Sequence, residues 1–186
     1  MNSFAIVRIL LIISIFEISL STIYFQEEFD FGWRQRWVLS DWKKDQQGDV
    51  ALGASDWYAD HDRDVGLQTL TNLKFISLSA KFPSFTNLQK DLVLQFSVQY
   101  PQKIDCGGGY IKLLNSDFDQ TQFGGETPLL IMFGPDICGP ETRIQLILDY
   151  KAEGYAWNKH FAAEDDQLTH VYTMVLHPDN TYKVLF

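Results

Sequence analysis

Apolar and polar residues alternate along much of the chain. In residues 91–100 the apolar side chains occupy every second position, and glutamine or serine fills most of the positions between them. Residues 143–150 follow the same pattern. Because successive side chains of a strand point to opposite faces of the sheet, both segments are predicted to be strands with one buried face.

Two further segments, residues 73–82 and 168–177, carry apolar residues on both alternating sets of positions. This pattern is typical of strands that are covered on both faces. Glycine, proline and asparagine cluster between the predicted strands, and no segment shows a sustained helical period. We therefore predict a single all-β sandwich.

The composition supports one folded domain and excludes some partners. The chain has 186 residues, of which 15% are aromatic and 21% are charged, as in globular proteins. Its formal net charge is −9, and no basic cluster is present to bind phosphates. We expect no nucleic-acid partner.

The first residues have the pattern of a secretory signal peptide. Arg8 precedes a short apolar run at residues 9–16, and small residues follow up to Ser21. We predict a signal peptide over residues 1–21 and a mature domain over residues 22–186. The apolar run is too short to span a bilayer, and no other stretch approaches the necessary length, so no membrane span is expected.

Secretion leads to an oxidising compartment, where paired cysteines form disulfides. The chain has two cysteines, Cys106 and Cys138. Their separation lacks the paired spacing of a zinc site, so we predict a disulfide between them. In the chain-entropy account, a loop of this length stabilises the fold by about 3–4 kcal/mol.

Both cysteines lie in unusual motifs. Three glycines, residues 107–109, follow Cys106, and the segment after them reads as a strand rather than as the helix that a phosphate-binding loop requires. The chain has no G-x-S-x-G nucleophile motif and no pair of carboxylates alternating along one strand. We therefore expect a binding protein and not an enzyme.

The residues around these motifs are suited to a sugar. Tyr110 and Lys112 are two positions apart on a predicted strand, so they share a face. The predicted disulfide would bring Met132 and Asp136 alongside them. A ring, a cation and a carboxylate over a glycine surface could bind a pyranose. The residues leave a second interpretation open, in which Tyr110 packs at the rim and Lys112 and Asp136 form an ordinary surface pair.

Five segments carry further motifs: IDCGGGYIKLL, IMFGPDICGP, YFQEEF, DVGLQT and HPDNTYKV. Together these motifs resemble the N-terminal lectin domain of the calreticulin family, from about Thr22 to the last residue. The resemblance implies a legume-lectin-like (concanavalin A-like) jelly-roll β-sandwich, incomplete at the C-terminus. It also implies a calcium-dependent lectin chaperone of the endoplasmic reticulum that binds monoglucosylated high-mannose N-glycans on unfolded glycoproteins.

The resemblance assigns glycan-binding roles to four residues: Tyr110, Lys112, Met132 and Asp136. A second tyrosine of the family falls on Leu129, which has no hydroxyl to donate. A family isoleucine on the following strand is expected to correspond to Leu148.

The resemblance also implies a calcium ion held largely by main-chain carbonyls. In this chain the corresponding positions are Glu28, Arg63 and Val65. Because carbonyl oxygens form the bonds, the side chains at these positions matter less. A further calcium ligand and a further glycan-binding aspartate of the family belong to a segment that is not in this sequence.

The family's proline-rich arm, closing strands, acidic tail and retention tetrapeptide are also not in this sequence. Without the arm we expect no disulfide isomerase partner, and we expect a monomer. We predict the lumen of the endoplasmic reticulum as the location, with secretion as the alternative because no retention signal is present. The alternative function is a secreted or truncated carbohydrate- or calcium-binding module without chaperone activity.

Overall fold

A computed structural model describes residues 21–186, so the predicted signal peptide lies outside the described residues except for Ser21. One short helix, α1 (Trp33–Arg36), and two 3-10 turns (Lys44–Gln46 and Gln120–Gln122) interrupt an otherwise all-β chain. The strands are β1 (Trp37–Leu39), β2 (Val50–Ala54), β3 (Val65–Thr69), β4 (Leu78–Ala80), β5 (Leu92–Gln99), β6 (Cys106–Gly108), β7 (Ile111–Leu113), β8 (Ile131–Cys138), β9 (Glu141–Tyr150), β10 (Glu153–Ala156), β11 (Thr169–Leu176) and β12 (Tyr182–Leu185).

The largest sheet has five antiparallel strands. Strands β10, β9 and β8 lie side by side, and the free edge of β8 is shared by two short strands, β6 and β7. Strand β6 pairs with the end of β8 and β7 with its beginning. The gap between these two short strands falls at Gly109 and Tyr110 and interrupts the sheet edge there.

A three-stranded sheet, ordered β12-β11-β5, covers one face of the five-stranded sheet. The two layers meet in an aromatic cluster in which the ring centroids of Phe96 and Phe133 lie 6.0 Å apart and those of Phe96 and Tyr172 lie 5.8 Å apart. Phe133 and Met174 are completely buried. This core lies on the inner face of β8 and β9, and the opposite, outer face of these strands is not part of it.

Two small two-stranded sheets, β1 with β4 and β2 with β3, flank the sandwich. The segment before α1 is attached to β1 by Glu27, whose carboxylate accepts hydrogen bonds from the Arg36 guanidinium and from the Trp37 indole. The hydrogen bond from Arg36 is the main reason why the pKa of Glu27 falls to about 2. The N-terminal segment is therefore fastened to the domain by a charge-assisted contact.

The alternation pattern predicted most of the sandwich. Residues 91–100, 143–150 and 168–177 contain β5, most of β9 and β11, as expected. The prediction of a strand over residues 73–82 was right only in the second half of the segment, where Leu78–Ala80 forms β4. Before β4, Phe75 makes an isolated bridge to Gln47 and no continuous strand forms. Leu73 has a left-handed φ of 56° and is fully exposed, so this apolar residue is not part of any sheet face.

Candidate functional site

The predicted disulfide is confirmed. Cys106 and Cys138 are directly opposite each other in the β6–β8 ladder, and their sulfurs are bonded. The same register places Gly108 opposite Asp136. The disulfide therefore lies two residues from the carboxylate that sequence analysis assigned to the site, and it joins the two strands that carry the two cysteine motifs.

The glycines are required by close approaches of other groups. A Cβ atom on Gly108 would overlap the ring of Tyr110, and one on Gly134 would overlap the carbonyl oxygen of Gly109. The Gly109 amide donates to the carbonyl of Pro135 at 3.0 Å, which closes the sheet edge at the gap between β6 and β7. Bare backbone at Gly108 therefore lets the Tyr110 ring approach the strand closely.

Asp136 is paired with a residue that sequence analysis did not identify. The Asp136 carboxylate lies 3.1 Å from one guanidinium nitrogen of Arg143 and accepts a hydrogen bond of 3.2 Å from another. Arg143 is its direct partner across the β8–β9 ladder. The tight hairpin between the two strands fixes this register, so counting back from the turn would have been the available sequence signal.

Tyr110 shares its surroundings with this ion pair. Its side chain remains about one-third exposed. Burial is the main cause that raises the pKa of its hydroxyl above the ordinary value, and the neighbouring Asp136 carboxylate adds to the effect. Tyr110 is therefore neutral at physiological pH and retains its hydroxyl proton as a hydrogen-bond donor.

Lys112 and Met132 are opposite each other in the β7–β8 ladder, so their side chains share the outer face. Lys112 is half-buried, and this burial lowers the pKa of its ammonium group. Its ammonium nitrogen lies 5.7 Å from the ring centroid of Phe123. Within residues 21–186, Lys112 forms neither an ion pair nor a side-chain hydrogen bond.

The prediction that Leu148 corresponds to the glycan-contacting isoleucine of the family was wrong. Leu148 is opposite Ile131 and packs against the core, so it faces away from Lys112 and Met132. Ile147, one position earlier, is opposite Met132 on the outer face. Because side chains alternate along a strand, a shift of one residue moves a side chain to the other face. Ile147 is thus the apolar neighbour of Met132, whereas Leu129 is half-buried just before β8.

The three positions predicted for calcium lie in two segments. Glu28 precedes α1, and its carboxylate accepts a hydrogen bond from the Gln26 amide. Arg63 and Val65 flank Asp64 at the start of β3. In the part of the chain that the structure describes, no hydrogen bond or ion pair joins Glu28 to either of the other two positions. Within the described residues, Arg63 and Val65 are therefore near each other because they are two positions apart in the sequence.

Asp64 organises the loop that leads into Arg63 and Val65. Its carboxylate accepts hydrogen bonds from the backbone amides of Ala59 and Asp60, at 2.7 and 3.0 Å. These bonds lower the pKa of Asp64, so the carboxylate is ionised at neutral pH. The carboxylate thus holds the main chain on one side of the predicted calcium position.

A second group of side chains with metal-ligating atoms lies before and within β11. One ligand atom each from Glu164, Asp166 and His170 lie within 4.8 Å of one another. His170 Nε2 and Asp166 Oδ1 are 2.7 Å apart, and the Leu168 amide donates to the same carboxylate. His170, a residue of β11, is therefore hydrogen-bonded to the segment that precedes its own strand.

The outer face thus combines a tyrosine ring on bare backbone, an ion pair, two apolar side chains and an ammonium group that has no ion-pair partner within residues 21–186. The two packed antiparallel sheets form a β-sandwich of the legume-lectin-like type. The model of the Calreticulin family matches residues 25–186. This chain therefore belongs to the calreticulin family, and its fold is the legume-lectin-like β-sandwich predicted from the sequence.

Individual relatives agree with this assignment. The chain is 48% identical over 180 residues to calreticulin of Dictyostelium discoideum, a match that covers 95% of this chain and 42% of the relative. It is 50% identical over 168 residues to calreticulin of Chlamydomonas reinhardtii, covering 87% of this chain and 40% of the relative. The chain therefore spans less than half the length of these curated relatives.

A solved structure, described as the T. cruzi calreticulin globular domain, superimposes with a TM-score of 0.82 at 42% sequence identity. The match covers 88% of this chain and 62% of that one. The calreticulin family is a non-enzymatic, calcium-binding chaperone family of the endoplasmic reticulum lumen. Among the described residues, the helix is far too short to cross a bilayer.

Proposed function

We propose that this chain is the lectin domain of a calcium-dependent chaperone of the endoplasmic reticulum. In this proposal it binds monoglucosylated high-mannose N-glycans on unfolded glycoproteins. The observation that carries the proposal is the convergence of Tyr110, Lys112, Met132 and Asp136 on the outer face of one sheet. Membership of the calreticulin family supports the same function.

Each of the four residues has a distinct role in the proposal. The Tyr110 ring, with one side against Gly108, offers its exposed side for stacking on the apolar face of a pyranose. Asp136 accepts hydrogen bonds from sugar hydroxyls, and Arg143 holds its carboxylate in position. Lys112 donates to sugar oxygens, and Met132 supplies an apolar contact.

Isothermal titration with two purified glycans tests the proposal. The first glycan is a glucosylated trimannose branch, and the second is the same branch without glucose. We expect binding of the first and at least a tenfold weaker affinity for the second, because a missing hydroxyl contact leaves buried polar groups of the site unpaired. Equal binding of both, or of neither, would contradict the proposal.

Chaperone activity calls for a separate measurement. We expect the chain to suppress aggregation of an unfolded glycoprotein that carries the glucosylated glycan. The matched control is the same protein after enzymatic removal of its glycans. Equal suppression of both forms would show that any effect on aggregation does not pass through the glycan.

For calcium, we propose that main-chain carbonyls of Glu28, Arg63 and Val65 hold the ion. The donor set consists of oxygen atoms alone, which calcium prefers, and Asp64 holds the neighbouring loop in a defined shape. Bound calcium would neutralise local negative charge and join the segment before α1 to the start of β3.

Thermal melts with calcium and with a chelator test this site. We expect calcium to raise the melting temperature, because an ion that binds only the folded state stabilises it. Asp64→Ala is expected to reduce the rise, since it releases the loop amides. Arg63→Ala is the matched control and should keep the rise, because the carbonyl is unchanged. Loss of the rise in both variants, or in neither, would contradict the proposed ligand set.

A further inference from the structure

We propose that Phe123 is a positioning residue of the glycan-binding face. Its ring holds the Lys112 ammonium group through a cation–π contact, and the loop of residues 118–130 determines where that ring lies. The inference rests on the proposed glycan-binding function and adds a residue that does not itself touch the sugar.

The first observation is the unusual situation of Lys112. Its side chain is half-buried, and the described residues place no carboxylate within ion-pairing distance of its ammonium group. The aromatic group that faces the ammonium is the Phe123 ring, 5.7 Å away, which is within the range of a cation–π interaction. A lysine side chain on a flexible four-carbon stem otherwise loses conformational freedom when it binds.

The second observation is that the position of Phe123 is itself constrained. The 3-10 turn before it is capped by Asp119, whose carboxylate accepts the Thr121 amide at 2.9 Å. The Thr121 carbonyl accepts hydrogen bonds from the Ser40 hydroxyl and from the Asp41 amide. Both donors directly follow β1, so the turn is tied to the small β1–β4 sheet.

The residue after Phe123 is held as well. The indole of Trp42 lies so close to Gly124 that a Cβ atom there would overlap the ring. The Gly124 amide also donates to the Thr127 hydroxyl at 2.9 Å. The neighbours of Phe123 on both sides are thus held by residues 40–42. These residues directly follow β1, which lies in a different sheet from Lys112. This arrangement presents the ammonium in one place before any sugar arrives.

The same loop offers a matched comparison. Phe118 holds a different lysine, Lys81, whose ammonium nitrogen lies 5.8 Å from its ring centroid. The two rings are neighbours, with centroids 5.8 Å apart. Phe118→Leu therefore removes an aromatic ring from the same loop and the same cluster, but not the one that faces Lys112.

Nuclear magnetic resonance tests the contact without any sugar. In the complete chain, the ring current of Phe123 should shift the signals of the Lys112 Cε protons, and the Lys112→Ala spectrum identifies those signals. We expect the shift to disappear in Phe123→Leu and to persist in Phe123→Trp. In Phe118→Leu the shift should be retained with a small change, because that ring contacts Phe123 but does not face the Lys112 ammonium. A shift that survives in Phe123→Leu would overturn the inference.

Isothermal titration with the glucosylated trimannose branch tests the consequence. We expect Phe123→Leu to bind about two- to fivefold more weakly, the size of one cation–π contact, whereas Phe123→Trp and Phe118→Leu keep the unmodified chain's affinity. Melting curves confirm that each variant is folded. Unchanged affinity in a folded Phe123→Leu overturns the inference. If the unmodified chain does not bind the glycan, the proposed function is contradicted. The resonance experiment needs no glycan, so it still tests whether the Phe123 ring contacts the Lys112 ammonium group.

Discussion

The two ends of the proposed glycan-binding face are built in opposite ways. At the end beside the disulfide, Asp136 is neutralised by Arg143, its partner across the β8–β9 ladder. At the other end, the Lys112 ammonium is faced by a phenylalanine ring and has no ion-pair partner among residues 21–186. One charge is thus satisfied within the protein, and the other is left for a ligand.

This difference determines how each end can contribute to binding. The Asp136 carboxylate is already paired and is held in one orientation. If it is removed, water can hydrogen-bond to the Arg143 guanidinium, whose side chain is partly exposed. An ammonium group that is partly desolvated and unpaired recovers its lost hydration only when a ligand supplies oxygen atoms. We therefore expect Lys112 to contribute more to the affinity for glycan than either member of the Asp136–Arg143 pair.

The largest expected effect is at Lys112. Lys112→Ala should weaken binding of the glucosylated branch by about ten- to a hundredfold, because hydrogen bonds from a charged donor contribute about 1.5–3 kcal/mol. Isothermal titration measures this loss. The control is Lys81→Ala, which removes the ammonium held by Phe118. Unchanged binding by Lys112→Ala would remove this residue from the site.

The second effect concerns pH. Burial lowers the pKa of Lys112 below its ordinary value of 10.5, while the pKa of Tyr110 is raised. As pH rises, Lys112 therefore loses its charge before Tyr110 loses its proton. We expect glycan affinity to fall as pH rises through the lowered pKa of Lys112, before Tyr110 ionises. The difference in tyrosinate absorbance between the unmodified chain and Tyr110→Phe follows the ionisation of Tyr110. Constant affinity until Tyr110 ionises would contradict the assignment of roles.

A smaller effect is expected at the paired end. Arg143→Met should weaken glycan binding by about two- to fivefold, because the exposed ion pair contributes modestly and mainly orients Asp136. The control is Lys183→Met on β12, an exposed cation of the other sheet. A loss larger than that of Lys112→Ala would reverse the proposed order of the two ends.

The smallest effect tests the connection between the loop and Lys112. Gly124→Ala would drive a methyl group into the Trp42 indole and displace Phe123, so we expect about a twofold loss of affinity together with a lower melting temperature. Gly125→Ala is the matched control, since its Cβ would lie 3.7 Å from the same indole, an ordinary contact distance. If the two variants had the same affinity and melting temperature, Trp42 would not determine where the Phe123 ring lies.

Much of this site was within reach of the sequence. The period-2 pattern predicted the central strands, and the two cysteine motifs predicted which segments pair and that Asp136 approaches Tyr110. The identity of the apolar neighbour of Met132 was not within reach, since Ile147 and Leu148 are both apolar and only the register distinguishes them. The same holds for residues 73–77, whose apolar composition suggested a strand that does not form.

What the sequence determined by itself is the class of fold, the disulfide and the chemical types of the main site residues. These properties depend on local periodicity and on residue identity, both of which can be read along the chain. The tertiary structure alone decided that Asp136 pairs with Arg143 and that Phe123 faces Lys112. Those contacts join segments brought together by strand register and by packing of a loop on a second sheet, and neither leaves a periodic signal in the chain.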